Sequence, residues 1–369
     1  MSETKQPWIE TPLVRSANLS KAVGCHVFLK LENTQPSGSF KLRGASHYML
    51  GKMAALREQQ QQQDASARVR AHFYSSSGAN AGLACIYAAN MFGCPTTIVT
   101  PLSTSAFLVA KLKQAGAVQV IQYGNTWQEA ENYLRDTVMT TAAATTNESP
   151  IYVPPFDAQE IWEGNAGIMH ETVRQLREAT CHYRMTAAAV AVSPTCNGHN
   201  IPMEHMPAVD AVVCSVGGGG LFCGLMQAVE ELQLKDHTQV IAVEAEGVDS
   251  LAQSVAKQER ITLSRIGSLA TSLGARRVAQ RAFEYGLEKH ARTVVLSDAE
   301  AIRACRRFAD EEHYLVELAC AVCPALCYTG KLPGLIPGFN ENTVVVIVVC
   351  GGSNISFEMI EKFWATLDD

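Results

Sequence analysis

The sequence predicts an α/β protein whose mostly parallel sheets are flanked by helices and divided between two domains. Three observations carry that reading. Strand-like and helix-like segments alternate along most of the chain. The run 343–349 is almost unbroken Val and Ile, which suits a strand covered on both faces. The length of 369 residues exceeds what one core of ordinary size encloses.

The elements follow in order. Residues 69–74, 96–99 and 118–123 read as strands. Between and after them, 80–91, 105–115 and 126–138 read as helices, with Gly93 and Gly116 closing the first two. A second series begins after Phe156, with strands at 212–215 and 240–244 and a helix at 221–232. Ser297 and Glu300 form a capping-box pattern at the start of a helix over 298–312. Three stretches read as decoration: the glutamine run 59–63, the small polar segment 140–148, and 180–207, which has no period and reads as a surface insertion. His182, His199 and His205 in that insertion are too irregularly spaced for a metal site and read as surface histidines.

Composition excludes several classes of function. Apolar residues make up 47% and charged residues 18%, so the chain can bury large cores and is not globally disordered. A net charge of -6 with scattered Lys and Arg gives no footprint for nucleic acid or an anionic membrane. The polar start MSETKQPWIE has no apolar signal core, and the run 344–349 is far too short to span a bilayer. Most of the twelve cysteines, Cys85, Cys214, Cys223 and Cys320 among them, sit in apolar segments. Cys320 and Cys323 have CxxC spacing but no second pair, so reduced, buried thiols in a cytosolic protein are expected rather than zinc.

Four short stretches carry chemistry. In Gln35-Pro36-Ser37-Gly38-Ser39-Phe40-Lys41-Leu42-Arg43-Gly44 a lysine follows a turn and opens a helical stretch. Near another cation, here Arg43, such a lysine can have its pKa lowered, as Schiff-base chemistry requires; most lysines after turns are simply solvated. Ser215-Val216-Gly217-Gly218-Gly219-Gly220-Leu221 places four glycines between a strand and a helix. That is a phosphate cradle by backbone amides and helix dipole, and it lacks the Lys-Ser/Thr ending of a nucleotide-hydrolysing loop. Ser75-Ser76-Ser77-Gly78-Ala79-Asn80-Ala81-Gly82 gathers hydroxyls, open amides and one side-chain amide at another strand-to-helix junction, where a carboxylate can be held; an ordinary serine-rich cap reads equally well. Cys350-Gly351-Gly352-Ser353-Asn354 follows the strongest strand, at the end that faces a ligand crevice in parallel sheets.

Together, in order and spacing, these stretches resemble the tryptophan-synthase-β-like, fold type II class of pyridoxal-phosphate enzymes, and within it the serine/threonine dehydratase family. The resemblance runs from Thr11-Pro12-Leu13 to Asn354. It implies two open, twisted, mostly parallel sheets, with a large cofactor domain from residues 1–41 and 156–369 and a small substrate-loop domain from 42–155. It implies that Lys41 forms the Schiff base with pyridoxal 5'-phosphate and that Phe40 flanks the ring. Gly217, Gly218, Gly219, Gly220 and Leu221 are then expected to hold the phosphate, Asn80 the ring 3-oxygen, and Cys350 or Ser353 to face the pyridine nitrogen. Ser77, Gly78, Ala79 and Asn80 become the substrate loop. Gly217, Glu244, Val248, Leu273 and Ala275 match the family's site for a monovalent cation such as potassium; on its own Glu244 reads as a strand-end carboxylate at the surface.

The activity implied is elimination of water and ammonia from L-serine, giving pyruvate, and from L-threonine, giving 2-oxobutyrate. It implies a cytoplasmic homodimer in amino-acid catabolism and gluconeogenesis, with a small amino acid as its only partner. A serine racemase, a β-replacement synthase and an inactive cofactor-bound sensor share these motifs. The sequence departs from the family in two places. Ala79 stands where the family has glycine before the asparagine, adding a Cβ to the substrate loop. Glu317-Leu318-Ala319-Cys320-Ala321-Val322-Cys323 replaces the family's Glu-Pro-Ala-Cys-Gly-Ala-Ala, where local repacking is expected.

Overall fold

A computed structural model describes residues 6–62, 69–188 and 209–367, with residues 179–188 described by backbone alone. Among the described residues, ten strands form two sheets: β1 (Leu13–Arg15), β2 (His26–Lys30), β3 (Arg70–Ser75), β4 (Thr96–Thr100), β5 (Gln119–Gln122), β6 (Glu148–Tyr152), β7 (Ala211–Ser215), β8 (Gln239–Ala245), β9 (Ala291–Leu296) and β10 (Val344–Val348). The larger sheet runs β1-β2-β10-β7-β8-β9 and the smaller β5-β4-β3-β6. Every pairing is parallel except β1 with β2. The architecture is the α/β one expected.

Local chemistry accounts for the placement. β10 is Val-Val-Val-Ile-Val, buried at every position and flanked by β2 and β7, as an apolar run on both faces demands. The capping box at Ser297 and Glu300 is formed, and the helix it starts runs Asp298–Glu312. The helix Asn80–Met91 also has the bounds the sequence indicates.

Two readings need correction and a third is narrowed. Residues 140–148 are not a polar connection: a helix covers Thr140–Thr145 and β6 begins at Glu148. Pro150 had masked that strand, and β6 is an edge, where a missing N–H costs no ladder bond. The glutamine run 59–63, read as a solvated loop or a helix end, is a helix end: its described part closes the helix Lys41–Gln62, and Gln63 lies outside the described residues. The insertion does not begin at residue 180, because the helix Gln159–Ala188 continues through it. The remainder of it, with His199 and His205, lies outside the described residues, as does the side chain of His182. Among the described residues no helix is long and apolar enough to cross a membrane, and no cluster of metal-ligating side chains occurs.

One large core surrounds the six-stranded sheet, and smaller ones lie under the four-stranded sheet. All four chemistry-bearing stretches follow the carboxyl ends of parallel strands β2, β3, β7 and β10, where backbone turns away from the sheet and a crevice opens.

Candidate active site

Lys41 is the first residue of the helix Lys41–Gln62, and the turn before it is zipped to the loop after β10. Ser39 bridges Gly351, the Phe40 N–H donates to the Cys350 carbonyl at 3.1 Å, and the Gly352 N–H donates to the Gly38 carbonyl at 2.9 Å. Gly38, with φ +83°, takes the left-handed conformation that lets the chain make this reversal. The Lys41 ammonium donates to the Pro155 carbonyl at 2.7 Å and has no carboxylate in contact. Burial therefore lowers its pKa to about 8, against weaker upward pulls from Cys350 and Glu317.

Arg43 is not the cause of that shift. Its guanidinium faces away, bidentate to Glu32 at 2.8 Å and to Glu171 at 2.7 Å. Glu171 also accepts from the buried Lys30 at 2.7 Å. The cluster neutralises Arg43 and leaves Lys41 dependent on its own desolvation.

The four glycines lead from β7 into the helix Gly220–Glu231. Gly219 has φ +93°, and a Cβ there would overlap Ala282. A Cβ on Gly218 would overlap the Phe156 ring, and one on Gly220 would come within 2.8 Å of the Phe156 carbonyl. Glycine is needed here to turn the chain and to let protein close in behind it. Among the described residues, the N–H groups of Gly217, Gly218, Gly219 and Gly220 donate no hydrogen bond. Unspent donors at a helix N-terminus favour an anion such as a phosphate.

On the other side, β3 leads into the helix Asn80–Met91 through Ser77, Gly78 and Ala79. Ala79 has φ -123°, so the position does not require glycine and the extra methyl causes no backbone strain. Gly78 packs against Thr100 and Thr104, where a Cβ would lie 2.7 Å from the Thr100 hydroxyl. Asn80 is buried; its Nδ2 donates to Glu317 Oε1 at 2.8 Å, and its Oδ1 accepts from the Ser353 N–H at 2.9 Å.

Glu317, buried at the cap of the helix Leu318–Tyr328, is the residue that sequence reasoning missed. Burial raises its pKa to about 7, while Ser272, the Asn354 N–H, Asn80 and Lys111 pull the other way. Its only sequence signal is its place at the head of the Glu-Leu-Ala-Cys stretch. Leu318, where the family has proline, is the first helical residue, a position either residue fills because its N–H needs no helical partner.

Cys350 is buried at the end of β10, with its Sγ 3.4 Å from the Ser215 hydroxyl. Ser353 is half-buried; its carbonyl accepts from Lys111 Nζ at 2.7 Å. All ten described cysteines are free, and all but Cys94 are buried, as reduced core thiols should be. Cys320 and Cys323 both have raised pKa values, Cys320 through a hydrogen bond with Cys350 and burial, Cys323 through burial first.

Glu244 is not at the surface. It is fully buried, and its two carboxylate oxygens accept from the Leu251 and Ala252 N–H groups at 2.9 and 2.7 Å. Burial still wins over those donors and raises its pKa to about 8. Around it, Val216 donates to the Val243 carbonyl at 2.8 Å, and Val248 to the Ala245 carbonyl at 3.0 Å. Gly217 lies against Leu273, whose carbonyl accepts from Ala275 at 2.7 Å.

The arrangement is therefore a lysine held near neutrality, a free-amide cradle at a helix N-terminus, and a buried amide fixed between two loops. These residues fit a phosphorylated aldehyde cofactor. Known proteins agree. Residues 4–351 match the family model described as pyridoxal-phosphate dependent enzyme. The chain is 34% identical over 361 residues to an L-serine dehydratase of Saccharomyces cerevisiae, covering 97% of each chain. It is 37% identical over 356 residues to the L-serine dehydratase/L-threonine deaminase of Bos taurus, covering 95% of this chain and 93% of that one. The crystal structure of a fungal L-serine ammonia-lyase from Rhizomucor miehei superposes with a TM-score of 0.78 at 30% identity, covering 98% of this chain and 99% of that one.

Proposed function

The chain belongs to the pyridoxal-phosphate dependent enzyme family, and on that premise we propose that it is an L-serine ammonia-lyase that also deaminates L-threonine. The observation that carries the reading is Lys41, a lysine without an ion-pair partner whose pKa is lowered to about 8. When bound, pyridoxal phosphate supplies the electron sink that accepts the pair left at the substrate Cα.

The protein supplies the rest. The free N–H groups of Gly217, Gly218, Gly219 and Gly220, with that of Leu221, hold the phosphate. Phe40 and Cys350 would hold the ring, with Cys350 or Ser353 as the partner of its nitrogen. Asn80 would donate to the 3-oxygen, and Ser77, Gly78, Ala79 and Asn80 would hold the substrate carboxylate. Lys41 in its neutral form takes the Cα proton on Nζ, which a lysine of ordinary pKa could do only rarely near neutral pH. The hydroxyl must leave protonated, since hydroxide is the base of an acid with a pKa of about 15.7. At the ring nitrogen, a thiol such as that of Cys350 would be only a weak hydrogen-bond donor.

Glu244, with Gly217, Val248, Leu273 and Ala275, holds a monovalent cation, potassium by its cellular abundance, behind the phosphate cradle. Residues 42–155 form the small domain and residues 1–41 and 156–369 the large one, in a cytoplasmic homodimer serving amino-acid catabolism and gluconeogenesis. The test is release of 2-oxo acid and ammonia from L-serine and L-threonine, in potassium and in sodium buffer. Equal amounts of pyruvate and ammonia from L-serine, formed faster in potassium, are expected. D-serine as the main product, or no turnover by cofactor-loaded protein, would overturn the reading.

A further inference from the structure

Asn80 is gripped at both ends by groups that leave no choice of orientation. Glu317 Oε1 accepts from Asn80 Nδ2 at 2.8 Å and Oε2 faces the Asn354 N–H, so donors face both oxygens and the group acts here as an acceptor. The Ser353 N–H reaches Asn80 Oδ1 at 2.9 Å, and a backbone N–H can only donate. The two contacts call for the same orientation, nitrogen toward Glu317 and oxygen toward Ser353, and together they hold it.

The grip is itself held. Glu317 Oε2 accepts from the Asn354 N–H at 3.2 Å, and the Ser353 carbonyl accepts from Lys111 Nζ at 2.7 Å. Gly352 is where the loop passes over Glu317, and a Cβ there would overlap the carboxyl group. Asn80 and Lys111 start and line helices beside the four-stranded sheet, whereas Glu317, Ser353 and Asn354 belong to the six-stranded side. The network joins the two halves at the site.

We propose that Glu317 is a positioning residue that orients the Asn80 amide, so that its second Nδ2–H is presented to the phenolic oxygen of the bound cofactor. This rests on the reading of Asn80 as the partner of that oxygen. An acceptor-only group is essential to the device. Glutamine at position 317 could turn either face to Asn80, which would leave the Ser353 N–H as the remaining determinant of its orientation. It would also set an amide N–H against either Asn80 Nδ2 or the Asn354 N–H.

The test is a double-mutant cycle of E317Q and N80A, read by the affinity of the apoprotein for pyridoxal phosphate and by the visible spectrum of the loaded protein. Each single variant is expected to weaken cofactor binding about tenfold, the effect of one hydrogen bond to a charged or strongly polar group, and to shift the spectrum in the same direction. The double variant should be no worse than N80A, because Glu317 acts only through Asn80. Additive losses, or E317Q with wild-type affinity and spectrum, would overturn the proposal. N80A without effect on affinity or spectrum would instead remove the assignment of Asn80 on which it rests. If E317Q does not fold, E317D, which keeps an acceptor-only group on a shorter arm, enters the same cycle. A smaller loss that vanishes in the N80A background is expected, and a loss that adds to N80A would overturn the idea.

Discussion

Lys41 and Arg43 stand two positions apart at the start of one helix, and the protein treats their charges in opposite ways. Arg43 is fully buried against Glu32 and Glu171, with Lys30 as a second buried cation on Glu171. Every donor of that guanidinium near a carboxylate is used, and its pKa is raised. Among the described residues Lys41 meets the Pro155 carbonyl and the Phe40 ring but no carboxylate, and its pKa falls to about 8. The same desolvation acts on both. What differs is whether carboxylates compensate it, so a structural cation and a chemically reactive one can share a helical turn.

The largest effect that can break this comparison is on stability. Arg43→Leu leaves the buried Glu32 without its cation and Glu171 with Lys30 alone, and removing one member of a buried pair costs about 3–5 kcal/mol. Denaturant unfolding of the apoprotein should show a loss of that order, with Lys41→Met costing far less or stabilising. Equal losses in the two variants would mean that Lys41 is also held by charge pairing.

A smaller effect sharpens it. The usual lysine value of 10.5 applies to Lys41 when unfolded, and about 8 when folded. Between pH 8 and 10.5 the unfolded chain therefore binds more protons, so this group makes stability rise with pH across that window. Below pH 8 its full cost is present and constant. Buried thiols and tyrosines with raised pKa values act in the opposite sense at alkaline pH, so the quantity to measure is the difference between wild type and Lys41→Met. The stability of wild type relative to Lys41→Met should rise as pH goes from 8 to 10.5. A difference independent of pH would show that Lys41 titrates normally.

The comparison also marks what was legible in the sequence. The strand-to-helix junctions that carry Lys41, the four glycines and Asn80 are readable because each is marked by a short contiguous motif. β10 was readable because Val and Ile on both faces admit few other placements. The partners of Arg43 were not: Glu32 is local, but Glu171 lies in a helix far along the chain, and nothing at either position announces the pair. Arg43 had been read as the cause of the Lys41 shift because only sequence distance was visible. Glu317 was hidden in the same way, meeting Asn80 across a separation of 237 residues. Glu244 looked like a surface carboxylate because a strand end does not reveal that the helix Ser250–Lys257 folds back over it. β6 was lost to Pro150, whose meaning depends on whether a strand lies at an edge.

The account stands most directly on Lys41 being the residue that joins the cofactor. Borohydride reduction of the loaded protein, followed by digestion and mass spectrometry, reads this in one step. The phosphopyridoxyl group is expected on the peptide that contains Lys41, with none on Lys30 or Lys111, the other lysines near the site. Label on either of those, or on no lysine of a protein that has bound the cofactor, would contradict it.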